Sequence, residues 1–295
     1  MTSSNEIASD PYDHEFLDVQ GLRLHVTLAG PTDGQPIFLL HGFPEFWYGW
    51  RYQIPALARA GYRVVVPDQR GYNLSGKPTR VADYRPDVLV NDIVGLLDVL
   101  GYEAVAPVGH DWGGAIAWGV ASKFADRINR LAVLNCPHPV VMQRHLRTNP
   151  RQMLRSWYFL YFQLPWLPEF GMRIRNWSSL SRALQKMSRP GSFTEEDLTH
   201  YRAAWSQPGA MTAMVNWYRA LVRSFGLARV AGRIEIPTLL VWGEQDTALG
   251  SELAADSIAC CEFGRLERLP DAGHFVQHDA ATAVNQLLLE FLPSR

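Results

Sequence analysis

Cysteine is scarce in this chain: Cys136, Cys260 and Cys261 are the only three in 295 residues. They are too few and too oddly placed for a disulfide framework, and no C-x-x-C pair accompanied by histidines suggests a zinc site. A reducing compartment fits this usage. An excess of one charge is missing too. Twenty-eight basic and 29 acidic side chains leave a net charge of −1, so no positive field gathers phosphates and nucleic acid is not an expected partner. No apolar run approaches the roughly 18 to 20 residues that span a bilayer. The first six residues, Met1 to Glu6, are polar and lack the basic and apolar regions of a secretion signal, which predicts a soluble, cytoplasmic protein. Gly-x-Ser-x-Gly, internal repeats and low-complexity tracts do not occur. What is present is 47% hydrophobic and 19% charged, too apolar for disorder and long enough for one large domain or a core with an insertion. Oligomeric state is left open, a homo-oligomer included.

Short apolar runs at Ile37 to Leu40, Arg63 to Pro67, Val105 to Val108, Leu131 to Leu134 and Thr238 to Trp242 are rich in Val, Ile and Leu and do not alternate. Strands buried on both faces read this way, and the helix-length segments between them predict an α/β fold with a mostly parallel central sheet. Ahead of them, Phe16 to Val19 and Leu22 to Leu28, split by Gln20-Gly21, predict an antiparallel hairpin at the sheet edge. Between Leu134 and Thr238 lie about a hundred residues of helical periodicity with many aromatics. The alternation resumes with Thr238 to Trp242, a helix over Leu253 to Ile258, a strand over Leu266 to Leu269 and a terminal helix over Ala281 to Phe291. Prolines at Pro137-His138-Pro139 and in Arg233 to Pro237 mark the borders. The expected division is an α/β core of residues 1–136 and 234–295 around a helical cap of residues 137–233. Inside the cap, Ser192 with Glu195 is the spacing of a capping box, and Pro208-Gly209 ends that helix.

The chemistry concentrates in Val108-Gly109-His110-Asp111-Trp112-Gly113-Gly114, after a buried strand and before the helical pattern Ala115 to Phe124. Small residues around one reactive side chain at a strand-to-helix junction form a nucleophile elbow. Here that side chain is a carboxylate, whose ordinary alternative is a helix N-cap. Leu40-His41-Gly42-Phe43-Pro44-Glu45 also follows a strand. The backbone N–H groups of Phe43 and Trp112 suit an oxyanion hole, and Pro44 is a candidate for a cis bond. Past later strands come Asp246, in Gly243-Glu244-Gln245-Asp246, and His274, in Gly273-His274. Nucleophile, acid and histidine then follow the order of the hydrolase triad. Asp246 is favoured over Glu244, and the position after Leu134 offers only Asn135. His110 and His41 read as supporting loop groups. His14, His25, His138, His145, His200 and His278 need no catalytic role.

A carboxylate nucleophile displaces a leaving group from saturated carbon and becomes an alkyl ester, which must then be hydrolysed. His274, polarised by Asp246, is the candidate to activate that water. The first step needs a donor for the departing oxygen, and a tyrosine hydroxyl, with a pKa of about 10, stays protonated at neutral pH and can protonate an alkoxide. Tyr158, Tyr161 and Tyr218 sit in aromatic helical settings in the insertion, where a plain packing role is the alternative.

From Phe16 onward the chain resembles the soluble-type epoxide hydrolases of the α/β-hydrolase fold. The resemblance rests on His41-Gly42-Phe43-Pro44, Gly109-His110-Asp111-Trp112-Gly113-Gly114, Tyr158 with Phe162-Gln163, Asn216-Trp217-Tyr218-Arg219, Gly243-Glu244-Gln245-Asp246 and Gly273-His274. It implies that fold with an inserted helical cap, an aspartate nucleophile at Asp111, and two cap tyrosines that activate the epoxide oxygen. Matched motif to motif these are Tyr158 and Tyr218, with Tyr161 the less favoured candidate. The expected reaction converts an apolar epoxide and water to a vicinal diol, without metal or organic cofactor, in a pocket walled by Phe43, Trp47, Trp112, Phe159 and Trp217. Haloalkane dehalogenases, the runner-up, share the Asp-Trp step but often place an asparagine donor where this chain has Phe43. Fluoroacetate dehalogenases need elbow arginines that Trp112, Gly113 and Gly114 do not supply. A non-catalytic receptor of the same fold is disfavoured by the intact nucleophile, acid and histidine. Gly71 to Pro78 mimics a phosphate loop, but Pro78 lacks the hydroxyl that would hold magnesium. The aromatic stretch Trp157 to Phe170 fits either membrane contact or a pocket lining.

Overall fold

The structure, a computed structural model, describes residues 11–224 and 233–293. The stretch read above for a secretion signal, and residues 225–232 of the insertion, lie outside the described residues. Eight strands form one sheet in the order β1-β2-β4-β3-β5-β6-β7-β8. They are β1 (Asp13–Val19), β2 (Leu22–Ala29), β3 (Pro36–Leu40), β4 (Arg63–Pro67), β5 (Ala106–His110), β6 (Leu131–Leu134), β7 (Thr238–Gly243) and β8 (Gly264–Leu269). β1 and β2 pair antiparallel, β2 meets β4 antiparallel, and all later pairs are parallel. The edge hairpin and the parallel centre therefore fall where the apolar patterns put them.

The unbroken apolar runs have a direct cause. Side chains alternate across a strand, so Phe38 and Leu40 enter the core cluster on one face while Ile37 and Leu39 enter the cluster on the other. Helices α1 (Gln53–Arg59), α2 (Pro86–Val99) and α3 (Trp112–Lys123) connect the first strands. Between β6 and β7 come α4 (Pro139–Thr148), α5 (Pro150–Arg155), α6 (Tyr158–Tyr161), α7 (Leu167–Lys186), α8 (Glu195–Trp205) and α9 (Ala210–Arg223). α7 is broken by non-helical backbone at Ile174 to Trp177. α10 (Glu252–Ile258), α11 (Val276–Asp279) and α12 (Ala281–Phe291) complete the chain.

Two local expectations need correction. The capping box belongs to Thr194 and Asp197, not Ser192 and Glu195: Ser192 Oγ donates instead to Asp279 Oδ1 at 2.6 Å, so the helix starts two residues later. α3 starts at Trp112 rather than Ala115, because the elbow feeds straight into it. Its glycines are required by close approach. A Cβ on Gly113 would lie 1.9 Å from the Leu40 carbonyl oxygen, and one on Gly114 would lie 2.6 Å from the Cys136 Cβ. Backbone cannot yield as a side chain can, so Gly113→Ala is expected to cost about 3 kcal/mol, read as a lower denaturation midpoint. An unchanged midpoint would mean that β3 and α3 are not held this tightly.

Candidate active site

Asp111 joins β5 to α3 with φ 49° and ψ −121°. Positive φ at a residue with a side chain costs on the order of 1–3 kcal/mol and persists only where packing enforces it. The enforcement is visible: a Cβ at Gly42 would lie 2.4 Å from the Asp111 Cβ and Oδ1, and one at Gly109 would lie 2.3 Å from the Gly113 carbonyl oxygen. The turn thus holds the carboxylate clear of the sheet. The backbone N–H of Phe43 donates to Asp111 Oδ1 at 2.8 Å. The Phe43-Pro44 bond beside it is cis. The second oxygen, Oδ2, faces His274 Nε2 at 3.7 Å.

His274 Nδ1 lies 2.7 Å from Asp246 Oδ2. Both Asp246 oxygens are engaged: Oδ1 accepts the N–H groups of Ala248 at 2.8 Å and Leu249 at 2.9 Å, and Oδ2 also accepts Asn135 Nδ2 at 2.8 Å. Asn135, the residue at the alternative position for the acid, therefore orients Asp246 instead. Its own Oδ1 accepts the Gly243 N–H at 2.8 Å. Glu244, the rival, points to Arg268 at 3.0 Å. Burial pushes the Asp246 carboxyl up, but the charge and hydrogen bond of His274 and the Asn135 amide hold it below its ordinary value. Burial pushes His274 down, and the Asp246 charge and hydrogen bond, then the Asp111 and Glu45 charges, overcome it and raise the imidazole to about 9.

Above Asp111 lies a cavity of about 340 Å³ lined by Trp112, Tyr158, Phe159 and Tyr218, with Met142, Leu146, Leu221 and Val222 around it. The rings of Tyr158 and Tyr218 meet edge-on, centroids 5.8 Å apart. Burial, then the Asp111 charge, pushes both hydroxyls well above the ordinary phenol range, so both stay protonated donors. Tyr161 instead donates to the Leu167 carbonyl at 3.5 Å, away from this wall. Three of the expected walls, Phe43, Trp47 and Trp217, also lie outside this lining. Trp47 packs on Tyr12, His14 and Phe46 at the sheet edge. Trp217 packs against Trp112 beside its neighbour Tyr218 but turns its indole toward the core, donating its N–H to the Arg70 carbonyl at 2.9 Å. Phe43 packs its ring on Phe162 and Tyr218.

Behind His274 is a cluster that motif spacing gave no reason to assemble. Glu45 is buried, its Oε1 accepting from Tyr201 Oη at 2.7 Å and His278 Nε2 at 2.7 Å, its Oε2 from Gln277 Nε2 at 2.8 Å, with His110 Nδ1 at 3.3 Å. Arg51 lies 2.8 Å from the other His278 nitrogen and donates to it, which assigns the ring proton to Nε2. Burial pushes the Glu45 carboxyl up, but the two histidines hold it well below its ordinary range. His110 Nε2 lies 2.9 Å from the His274 carbonyl oxygen, tying the cluster to the loop that carries His274. α8 is tied to the same place: Trp205 donates to the Pro44 carbonyl at 2.6 Å, and Asp197 pairs with Arg51 at 3.0 Å and accepts from Tyr48 at 3.0 Å.

The alpha/beta hydrolase fold family model matches residues 35–281. The chain is 46% identical to an AB hydrolase superfamily protein, YfhM, of Bacillus subtilis (strain 168), over 95% of this chain and 98% of that protein. It is 40% identical to Homo sapiens epoxide hydrolase 4, over 92% of this chain and 76% of that one. Among solved structures, an epoxide hydrolase of Bacillus megaterium in complex with an inhibitor superposes with a TM-score of 0.85 at 31% identity, covering 94% of this chain and 99% of that chain. One of the novel epoxide hydrolases from hot-environment metagenomes superposes at 0.86 and 34% identity, over 97% and 100%.

Proposed function

The chain belongs to the alpha/beta hydrolase fold family and, within it, to the epoxide hydrolases, and from that premise we propose that it hydrolyses an apolar epoxide to a vicinal diol through an ester on Asp111. The observation that carries this reading is the shared cavity: one carboxylate on its floor and two protonated phenols, Tyr158 and Tyr218, in its wall. Asp111 Oδ1 is held by the Phe43 N–H where negative charge develops when the ester carbonyl is attacked, which leaves Oδ2 to attack a ring carbon. As the C–O bond breaks, the ring oxygen takes a proton from a tyrosine. Esterification removes the Asp111 charge, one of those that raise His274. Its imidazole then falls toward neutrality and takes a proton from the water that attacks the ester carbon, with Asp246 stabilising the imidazolium. The tetrahedral adduct collapses by breaking the ester C–O bond, its hydroxyl proton passing to the departing alkoxide. The diol leaves, Asp111 is again a carboxylate, and the imidazolium proton returns to the tyrosinate. The described residues within 137–233 serve as a cap over those within 1–136 and 234–295, and apolar Leu146, Leu221 and Val222 favour an apolar substituent.

The deciding assay sets a styrene-type epoxide beside a bromoalkane. Diol without bromide release is the expected result, whereas bromide release at comparable rate would make displacement of halide the true activity. In the same assay, Tyr158→Phe with Tyr218→Phe should lower epoxide opening by on the order of 10²-fold or more. An equal loss on both substrates would assign the pair to packing.

A further inference from the structure

The aromatic stretch from Trp157 to Phe170 is not accounted for by the cavity. Only Tyr158 and Phe159 of it reach the cavity wall. Phe162 is buried against Phe43 and Tyr218, but much of the rest is open: Leu160 is 74% exposed, Trp166 70% and Trp157 62%, and Leu154 and Phe170 are exposed beside them. Large apolar side chains clustered on a surface mark a contact. We propose that this outer face of α5, α6 and the first half of α7 docks the protein onto a bilayer surface rich in anionic phospholipid.

Charge selects that occupant. Residues 139–191 carry nine Lys and Arg against the single acid Glu169, in a chain whose totals nearly cancel at 28 and 29. Glu169 is already taken by Arg219 at 2.6 Å. The nearest acids on α10 are engaged as well, Glu252 by Asn149 and Asp256 by Arg144 and His145. On this face Arg151, Arg173 and Arg175 are exposed and have no carboxylate partner among the described residues. Tryptophans beside arginines around an apolar patch match the headgroup boundary of a membrane, where the ring sits in the interface and each nearby cation meets lipid phosphate. A second copy is a poorer occupant. A two-fold contact would set this positive face against itself. No helix among the described residues is long and apolar enough to cross a membrane, so the contact is with the surface alone. α6 turns Tyr158 and Phe159 inward and Trp157 and Leu160 outward, which puts the docking face one helix away from the cavity.

The test is co-sedimentation of the full chain with phosphatidylcholine vesicles, with and without phosphatidylglycerol, at low and high salt, read alongside tryptophan emission. Binding with a blue shift only to the anionic vesicles, weakened by salt, is expected. Arg173→Gln with Arg175→Gln should weaken partitioning on the order of tenfold or more, at about fivefold per arginine. Leu160→Glu with Trp166→Glu should abolish it, and both variants should melt like the parent. Equal binding to both vesicle types overturns the anionic assignment. Failure to bind anionic vesicles overturns the proposal outright, and a dimer lost in Leu160→Glu would then identify a second copy as the occupant.

Discussion

Asp111→Ala yields a folded protein with no measurable epoxide turnover. The variant removes the proposed attacking carboxylate, and among the described residues its buried acidic neighbours are committed elsewhere: Glu45 is locked among Tyr201, Gln277 and His278, and Asp246 has both oxygens engaged. Loss on the order of 10⁴-fold or more is expected, in line with removal of other covalent nucleophiles. Folding should survive, because alanine keeps the Cβ around which the elbow closes, and the added strain of φ 49° at alanine is small beside the packing that enforces the turn. Product chromatography with a thermal melt checks both halves. Diol at near-parental rate from a protein of parental stability would discard the covalent mechanism.

His274→Gln should separate the two steps. Alkylation needs Asp111 and the phenols, whereas hydrolysis needs a base beside the ester, and Nε2 of His274 is the group 3.7 Å from Oδ2. Losing a general base typically costs about 10²–10⁴-fold, and that loss falls on the second step, so the ester accumulates. Intact-protein mass spectrometry should find one epoxide added, on the peptide holding Asp111, after a burst of one equivalent. In the parent, the hydrolysis step should rise with pH to an apparent pKa below about 9, since 9 belongs to His274 with Asp111 charged. An undiminished steady state with no adduct would point to another base.

The parts of this site that could be read from the sequence are those encoded locally. Asp111 and His274 each sit in a short motif whose small neighbours are dictated by backbone contact, as at Gly109 and Gly113. Strands buried on both faces announce themselves by composition. What escaped depends on which way a helix turns and on distant partners. Trp217 and Tyr218 are adjacent, yet one faces Arg70 and the other the cavity. Trp47 lies close to the oxyanion motif but on the far side of its turn. Glu45 stood inside a quoted motif, but its partners Tyr201, Gln277 and His278 are 156 to 233 residues away. Asn135 was invisible as a support because its value comes from adjoining β7, not from its own loop. The exposure of Trp166 likewise needed three dimensions, since an aromatic helix bordering a pocket and one facing out share a composition.

The ties of α8 have a mechanical consequence. Trp205, Tyr201 and Asp197 rivet that helix to the loop that presents Phe43, so this end of the roof cannot lift without tearing the donor off Asp111. Any gap that admits substrate must open away from α8, at the side of the cavity that α4 and α9 line with Leu146 and Val222. Amide exchange should accordingly be slow along α8 and faster at that far margin, making the enclosure a one-sided flap.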